Sequence, residues 1–210
     1  ASAAIGGVAM APEIRPPFES PFAAATDAPP AIAVWPPSDA DLAYPALFAW
    51  PPTAAPRIIG YDLWTHDARR RAASRASATG RPRASDVLVL MQDRDPATGE
   101  GPYSTLLVTP IPGPVTLRAF DRTLRVERAV IAIGVAIESF FTETFAAGAA
   151  ASLPAPVVAA TALAADGAAL NRVVFAGAAA DAGRMPWRTV LPFAGLDLDV
   201  RLAPQRKLGR

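Results

Sequence analysis

The chain has 210 residues, of which 51% are apolar and 19% are charged, and its formal net charge is +1. This length suits one domain, or one domain with an appendage, and the apolar content is ample for a hydrophobic core. Because cysteine is absent, disulfides and thiolate metal sites are excluded.

The first 56 residues differ from the rest in proline content and in charge. They hold twelve of the 23 prolines and a net charge of −4, against +5 for the remainder. Since proline fixes φ and removes a backbone donor, the segment is predicted to be an extended arm, neither a helix nor a central strand. A Trp-Pro-Pro phrase occurs twice in it, and its aromatic rings are expected to be buried against another surface. The residues expected to contact a partner are Trp35, Pro36, Pro37, Phe48, Trp50, Pro51 and Pro52.

A single globular body is predicted over residues 57–210. Its opening, 57–64, is rich in β-branched and aromatic residues and predicts a strand. Residues 65–85 are polar and predict a loop, with room for a short helix over its first turns. This loop carries six arginines with no acid between them, which favours contact with nucleic acid or an acidic protein surface, although a solvated loop needs no partner. These arginines are Arg69, Arg70, Arg71, Arg75, Arg81 and Arg83.

The rest of the body is predicted to be mainly strands. Residues 129–151 are ambiguous, because their first part favours a strand and their second part a helix with its phenylalanines inward. Residues 157–165 suggest a second short helix. The strands predicted from apolar runs, alternation and turn residues lie at 86–91 and 103–109 (a hairpin with a long loop), 115–120, 123–128, 172–176, 189–193 and 196–202.

These elements predict an α+β fold of mainly antiparallel β structure, with a β-sandwich-like body of about seven strands and one or two helices. The uncharged stretch 144–165 is rich in alanine and is interrupted by Gly148, Pro154 and Pro156, so no membrane span is predicted. The start of the chain lacks the pattern of a signal peptide, though a leader already removed would leave no trace.

No catalytic signature is visible. His66 is the single histidine, there is no Gly-x-Ser-x-Gly elbow, and a catalytic zinc would lack ligands. The loop 93–100 clusters carboxylates as a calcium loop does, but it does not fit the EF-hand pattern. Lys207 is the one lysine and lies in a predicted tail. We therefore predict no cofactor, no metal and no enzymatic activity. Carboxylates that a hydrolase could use are Asp62, Asp93, Glu138 and Glu143.

The preferred hypothesis is a structural subunit of a large assembly, such as a virion, capsid or phage-tail-like particle, in which the arm joins copies of the chain or sister subunits. The alternative is a secreted or cell-surface β-sandwich binding module, with the loop 93–102 contacting a ligand. A carboxylate-dependent hydrolase ranks last. A virion or a cytoplasmic particle is the favoured location, and an extracellular one is the alternative.

Overall fold

The fold combines three antiparallel sheets with three α-helices. The computed structural model describes residues 5–14, 34–37, 40–53, 55–119, 122–149, 157–163, 169–176 and 187–203. Its strands are β1 (Ile5–Pro12), β2 (Phe48–Trp50), β3 (Arg83–Ala84), β4 (Leu88–Val89), β5 (Tyr103–Ile111), β6 (Val115–Ala119), β7 (Arg122–Val126), β8 (Ala129–Ala136), β9 (Val157–Leu163), β10 (Ala169–Ala176), β11 (Trp187–Phe193) and β12 (Leu196–Ala203). Its α-helices are α1 (Ala55–Ile58), α2 (Asp67–Thr79) and α3 (Ile137–Ala149), and short 3-10 helices occupy Leu63–Thr65 and Met91–Asp93.

The largest sheet has six strands in the order β2-β1-β8-β5-β3, with β4 also paired to β5. A second sheet has the order β10-β9-β12-β11, and β6 pairs with β7 in a hairpin. Every ladder is antiparallel. The predicted class, α+β with mainly antiparallel strands, is confirmed. The term β-sandwich fits only loosely, because a helix rather than a sheet covers one face of the largest sheet.

The described parts of the first 56 residues pack on the body. Strand β1 lies between β2 and β8, with Val8 opposite both Trp50 and Ile133. The paired run before Pro12 contains no proline, so its backbone donors remain free to form the ladders. The prediction that this segment cannot supply a central strand is therefore wrong. Residues 15–33 lie outside the described residues, and a division of the chain at residue 56 stays a prediction.

Helix α2 occupies residues 67–79 of the region 65–85, where a loop with room for a short helix over its first turns was predicted, and it is longer than that prediction. Four alanines at 68, 72, 73 and 76 share one face of this helix and are buried against the large sheet. Because alanine is small, the helix backbone can approach the strands closely, and β5 is the strand it contacts most. Gly80 ends the helix with φ at 64°, a left-handed conformation that glycine adopts without strain.

Helix α3 follows directly from β8, so the ambiguous region 129–151 is a strand and then a helix. Ile137 and Phe141 of α3 form a second core with Leu196, Leu198 and Val200 of β12. The alternation predicted for β12 is confirmed for these three buried residues. Asp199, between Leu198 and Val200 in the sequence, is also buried, and it forms ion pairs with Arg188 and Arg201.

Two other predictions are wrong. Residues 57–64 form a helical turn and a 3-10 helix instead of a strand, joined to the preceding segment by single bridges at Tyr61 and Asp62. Residues 157–163 form β9, in the middle of its sheet, instead of a helix. In both segments tertiary pairing overrides local propensity. Pro154, Pro156 and the predicted tail with Lys207 lie outside the described residues, and within the described ones no helix is long and apolar enough to cross a bilayer.

Candidate ligand-binding site

A cavity lies between helix α2 and the face of the large sheet that this helix covers. It contains about 430 Å³ of empty space, counted to its open mouth. Strands β1 and β8 form one wall and the segment through the 3-10 helix Met91–Asp93 forms another. Its lining consists of Gly7, Val8, Ala9, Arg57, Ile58, Tyr61, Leu63, Arg69, Leu90, Met91, Gln92, Leu106, Ala132 and Gly134.

The strands that line the cavity carry small residues at four of its positions. Gly7 and Ala9 of β1 and Ala132 and Gly134 of β8 all line it. A Cβ added to Gly134 would approach Leu90 Cδ1 to 2.6 Å, and one added to Gly7 would lie 3.2 Å from the carbonyl oxygen of Trp50. The two glycines therefore allow Leu90 and the backbone of Trp50 to approach the strands closely, and a larger side chain at either position would force its neighbour to move.

Arg69 is the polar residue buried most deeply in the lining. It is only 5% exposed, although it belongs to the charged run on α2. Its Cζ lies 4.7 Å from the ring centroid of Tyr61, within the range of a cation–π contact. Its Nε is buried and has no hydrogen-bond partner. A buried guanidinium with an unpaired donor is costly, and such groups in native proteins call for an explanation.

The electrostatic surroundings of Arg69 are positive. Burial is the main cause that lowers the pKa of Arg69; Tyr61 acts in the opposite direction, and the charge of Arg94 lowers the pKa further. Arg57 lines the same cavity, and among the described lining residues there is no aspartate or glutamate. The site is therefore a mainly apolar cavity with an excess of positive charge.

Gln92 supplies a further polar group. Its Nε2 lies 3.7 Å from the positions that a Cβ would take on Gly7 and on Gly134, so the amide lies over the glycine pair. Arg57 Nη1 donates a hydrogen bond to the backbone oxygen of Gln92 at 3.1 Å, which ties this wall to α1. Asp93 follows Gln92 outside the lining, and burial raises the pKa of its carboxyl group.

The six arginines predicted as one basic patch are separated by the helix. Arg69 points to the cavity side, whereas Arg70 pairs with Asp67 and Arg71 pairs with Asp86. Arg75 and Arg81 are exposed, and Arg83 is half-buried on β3. Contact of these arginines with nucleic acid or an acidic surface stays a prediction.

His66 and the loop after Asp93 serve local structure. His66 is the N-cap of α2, and its Nδ1 accepts a hydrogen bond from the backbone N–H of Ala68 at 3.3 Å. In the loop, Asp95 Oδ1 accepts from the backbone N–H groups of Ala97 and Thr98, at 2.7 and 3.0 Å. These hydrogen bonds form the turn that the residues of this loop predict. Contact of the loop with a ligand stays a prediction.

The predicted arm residues have different surroundings. Trp35 packs on its own chain: its Nε1–H donates to the carbonyl oxygen of Ile59 at 2.9 Å and its ring meets that of Tyr61 edge-on at 4.8 Å. Phe48 and Trp50, on the edge strand β2, are 40% and 51% exposed. Pro36, Pro37 and Pro52 are exposed and Pro51 is half-buried. Trp35 is thus half-buried on its own chain, and partner contacts of Trp35, Phe48 and Trp50 stay predictions.

Sequence reasoning missed the cavity residues. Arg69 was grouped with its charged neighbours, although it stands four and seven positions before Ala73 and Ala76, which are on the buried face of α2. That spacing could have marked it as the inward arginine. The contributions of Tyr61 and Gln92 depend on contacts between distant segments, and no local signal in the sequence indicates them.

The sequence model of the CHASE domain matches residues 1–168 of the 210. No curated protein matches the chain. CHASE domains are sensory extracellular domains of signalling receptors, so the prediction of a virion, capsid or phage-tail subunit is wrong, and the alternative of a cell-surface module agrees better. The match covers β1, α2 and the strands around the cavity, and the chain therefore belongs to the CHASE domain family.

Proposed function

We propose that this chain is the ligand-sensing domain of a signalling receptor and that the cavity under helix α2 is its ligand site. Membership of the CHASE family supports the sensory role. The domain acts by binding without catalysis, and the location that goes with this role is outside the cell.

The observation that carries the proposal is the cavity between α2 and the small residues of β1 and β8. Sites for small molecules are concave and mainly apolar and contain a few fixed polar groups. Here the polar groups are Arg69, Arg57 and Gln92, and the sheet provides a rigid wall. Because Arg69 belongs to α2, a bound ligand would contact this helix directly, and α2 is the element through which occupancy would reach the surface.

The test uses single-ring probes of one size and different charge: phenylacetate, phenylacetamide and phenethylamine. A probe that binds the folded chain stabilises it, and a free probe concentration of about 100 times the Kd adds about 2.7 kcal/mol to the free energy of unfolding. For a chain of this length, that corresponds to a Tm increase of roughly 5 to 10 °C. At least one probe is expected to raise the Tm in thermal denaturation.

A cavity-filling variant locates the binding. Ala132→Leu places a larger side chain in the cavity and is expected to abolish the Tm increase, whereas Ala78→Leu, on the exposed side of α2, should retain it. Circular dichroism checks that both variants fold, because overpacking costs about 1 to 3 kcal/mol. If no probe binds, or if Ala132→Leu binds as the unchanged chain does, the proposed site is wrong.

A further inference from the structure

We propose that the ligand of this cavity is a small organic acid whose carboxylate is bound by Arg69 and whose apolar part fills the rest of the space. This inference rests on the proposed function, since it assigns the ligand class of the same site. It follows from the burial of one guanidinium, from the charges around it and from the apolar character of the remaining lining.

The first step concerns the hydrogen-bond donor of Arg69 that lacks a partner. Its side chain is almost fully buried, and the buried Nε lacks a hydrogen-bond partner. The ring of Tyr61 provides a cation–π contact but accepts no hydrogen bond in the plane of the guanidinium. A ligand that offers an oxygen acceptor would satisfy the Nε–H donor that the protein itself leaves unpaired.

The second step concerns charge. Asp67 binds Arg70 and Asp86 binds Arg71, so these two carboxylates are paired with exposed arginines of α2. The carboxyl of Asp62 is buried and its Oδ2 has no hydrogen-bond partner within the described residues, but it is not among the groups that act on Arg69. The titratable groups that act on Arg69 are Tyr61 and Arg94, and neither is an aspartate or a glutamate. Among the lining residues that the structure describes, Arg57 adds a second positive charge and no residue adds a negative one. The charge that would complete the site is therefore that of an anion.

The third step concerns shape. The buried, unpartnered Nε belongs to the planar fork of donors of the guanidinium, and this fork matches the two oxygens of a carboxylate. Gln92 Nε2, above the glycine pair, is a further donor on the same wall. Most of the lining is aliphatic or aromatic. A ligand with one charged end and an apolar body fits this arrangement better than a free, fully hydrated phosphate.

The experiment compares an acid with its neutral isostere on the unchanged 210-residue chain. In isothermal titration calorimetry at pH 7, phenylacetate is expected to bind with a Kd of about 1 mM or tighter. Phenylacetamide, which has the same shape and no charge, should bind about 10- to 100-fold more weakly, because hydrogen bonds to charged groups are the stronger ones. This comparison needs no variant and is independent of any folding defect. Inorganic phosphate is titrated as a third probe.

Two variants of Arg69 and one control assign the binding to this residue. Arg69→Met keeps an unbranched apolar stem and should weaken phenylacetate binding by about 10- to 100-fold. Arg69→Lys keeps the charge and loses the fork, and it should weaken binding by about tenfold. Arg70→Met removes the neighbouring exposed arginine and should leave the Kd unchanged.

The outcomes separate this inference from the proposed function. The carboxylate assignment is overturned if the amide binds as tightly as the acid, if phenethylamine binds more tightly than phenylacetate, or if Arg69→Met leaves the Kd of phenylacetate unchanged. In each of these cases the cavity remains the ligand site if Ala132→Leu abolishes the binding of the probe. Tighter binding of inorganic phosphate than of phenylacetate also overturns the carboxylate assignment. Absence of binding by every probe contradicts both the inference and the proposed site.

Discussion

The guanidinium of Arg69 lies over the ring of Tyr61, with its Cζ 4.7 Å from the ring centroid, and both residues line the same cavity. The two side chains come from separate segments, the turn before the 3-10 helix and the first turns of α2. A cation–π contact at such a site contributes about 0.5 to 2 kcal/mol, which offsets only part of the cost of burying a cation. The domain without ligand therefore carries a charge that nothing within the cavity neutralises.

Removal of that charge should stabilise the ligand-free chain. For Arg69→Met we expect the free energy of unfolding to rise by about 1 kcal/mol, because the desolvation cost disappears and the loss of the cation–π contact is smaller. The Tm should rise by about 2 to 4 °C for a chain of this length. Arg70→Met, which breaks an exposed pair, should change the free energy of unfolding by less than about 1 kcal/mol. A loss of stability in Arg69→Met would show that the arginine is structural.

Asp62 connects two segments through one oxygen. Its side chain is fully buried, and its Oδ1 accepts hydrogen bonds from the backbone N–H groups of Tyr44 at 2.7 Å and Trp64 at 2.9 Å. Asp62→Ala leaves both donors without this partner, and we expect it to lower the free energy of unfolding by about 2 to 4 kcal/mol in urea denaturation. Asp62→Asn keeps an oxygen at this position and should cost less.

The difference in stability between Asp62→Asn and the unchanged chain should depend on pH. Burial raises the pKa of Asp62 in the folded chain. The protonated carboxyl is thus favoured by folding, so its contribution is full below the unfolded pKa of about 3.9 and is lost as the pH rises through the folded pKa. Relative to Asp62→Asn, the unchanged chain should lose stability between acidic and neutral pH. A difference between the two that is constant with pH would contradict the assigned shift.

Trp35 and Trp50 provide a matched test of where the early tryptophans are buried. Trp35→Phe removes the hydrogen bond to Ile59 and should lower the free energy of unfolding by about 1 kcal/mol. Trp50 is half-exposed, so Trp50→Phe should change the free energy of unfolding by less than about 0.5 kcal/mol. Denaturant titrations of dilute samples measure both values. Equal effects at low concentration would contradict the packing of Trp35 on its own chain.

The sequence predicted those elements whose signal is local. Leu196, Leu198 and Val200 alternate with polar residues, and a period of two places them on one face whatever surrounds the strand. Strand β1 gave no such signal, because its glycines and alanines have low β-propensity and its position depends on pairing with β8, more than a hundred residues later. Residues 57–64 predicted a strand from composition alone, but the carboxylate of Asp62 holds this segment in a turn.

The candidate site was less predictable than the fold for the same reason. The alanine spacing on α2 is visible in the sequence and would have oriented the helix, including Arg69. The cavity itself requires the small residues of two strands, Gly7 and Gly134 among them, to meet beneath that helix. Such a meeting is a property of sheet order, and sheet order is set by long-range pairs that no window of sequence contains.

His66 makes the start of helix α2 sensitive to pH. Its Nδ1 caps the helix as an acceptor, which only the neutral ring can do. Burial, and then the charge of Arg69, lower the pKa of His66, with smaller effects of the same sign from Arg94 and Arg71 and an opposing one from Asp67. Because the folded pKa is depressed, the cap contributes fully above the unfolded pKa of about 6.5, and its contribution is lost as the pH falls from there through the folded pKa.

His66→Asn keeps an acceptor at every pH. In urea denaturation at pH 8 and pH 5, the unchanged chain should lose stability relative to His66→Asn at the lower pH, by up to about 1 kcal/mol, the usual contribution of an N-cap. Titrations of other groups are shared by both proteins and cancel in this comparison, so identical pH dependence would exclude the cap as a pH-sensitive contact.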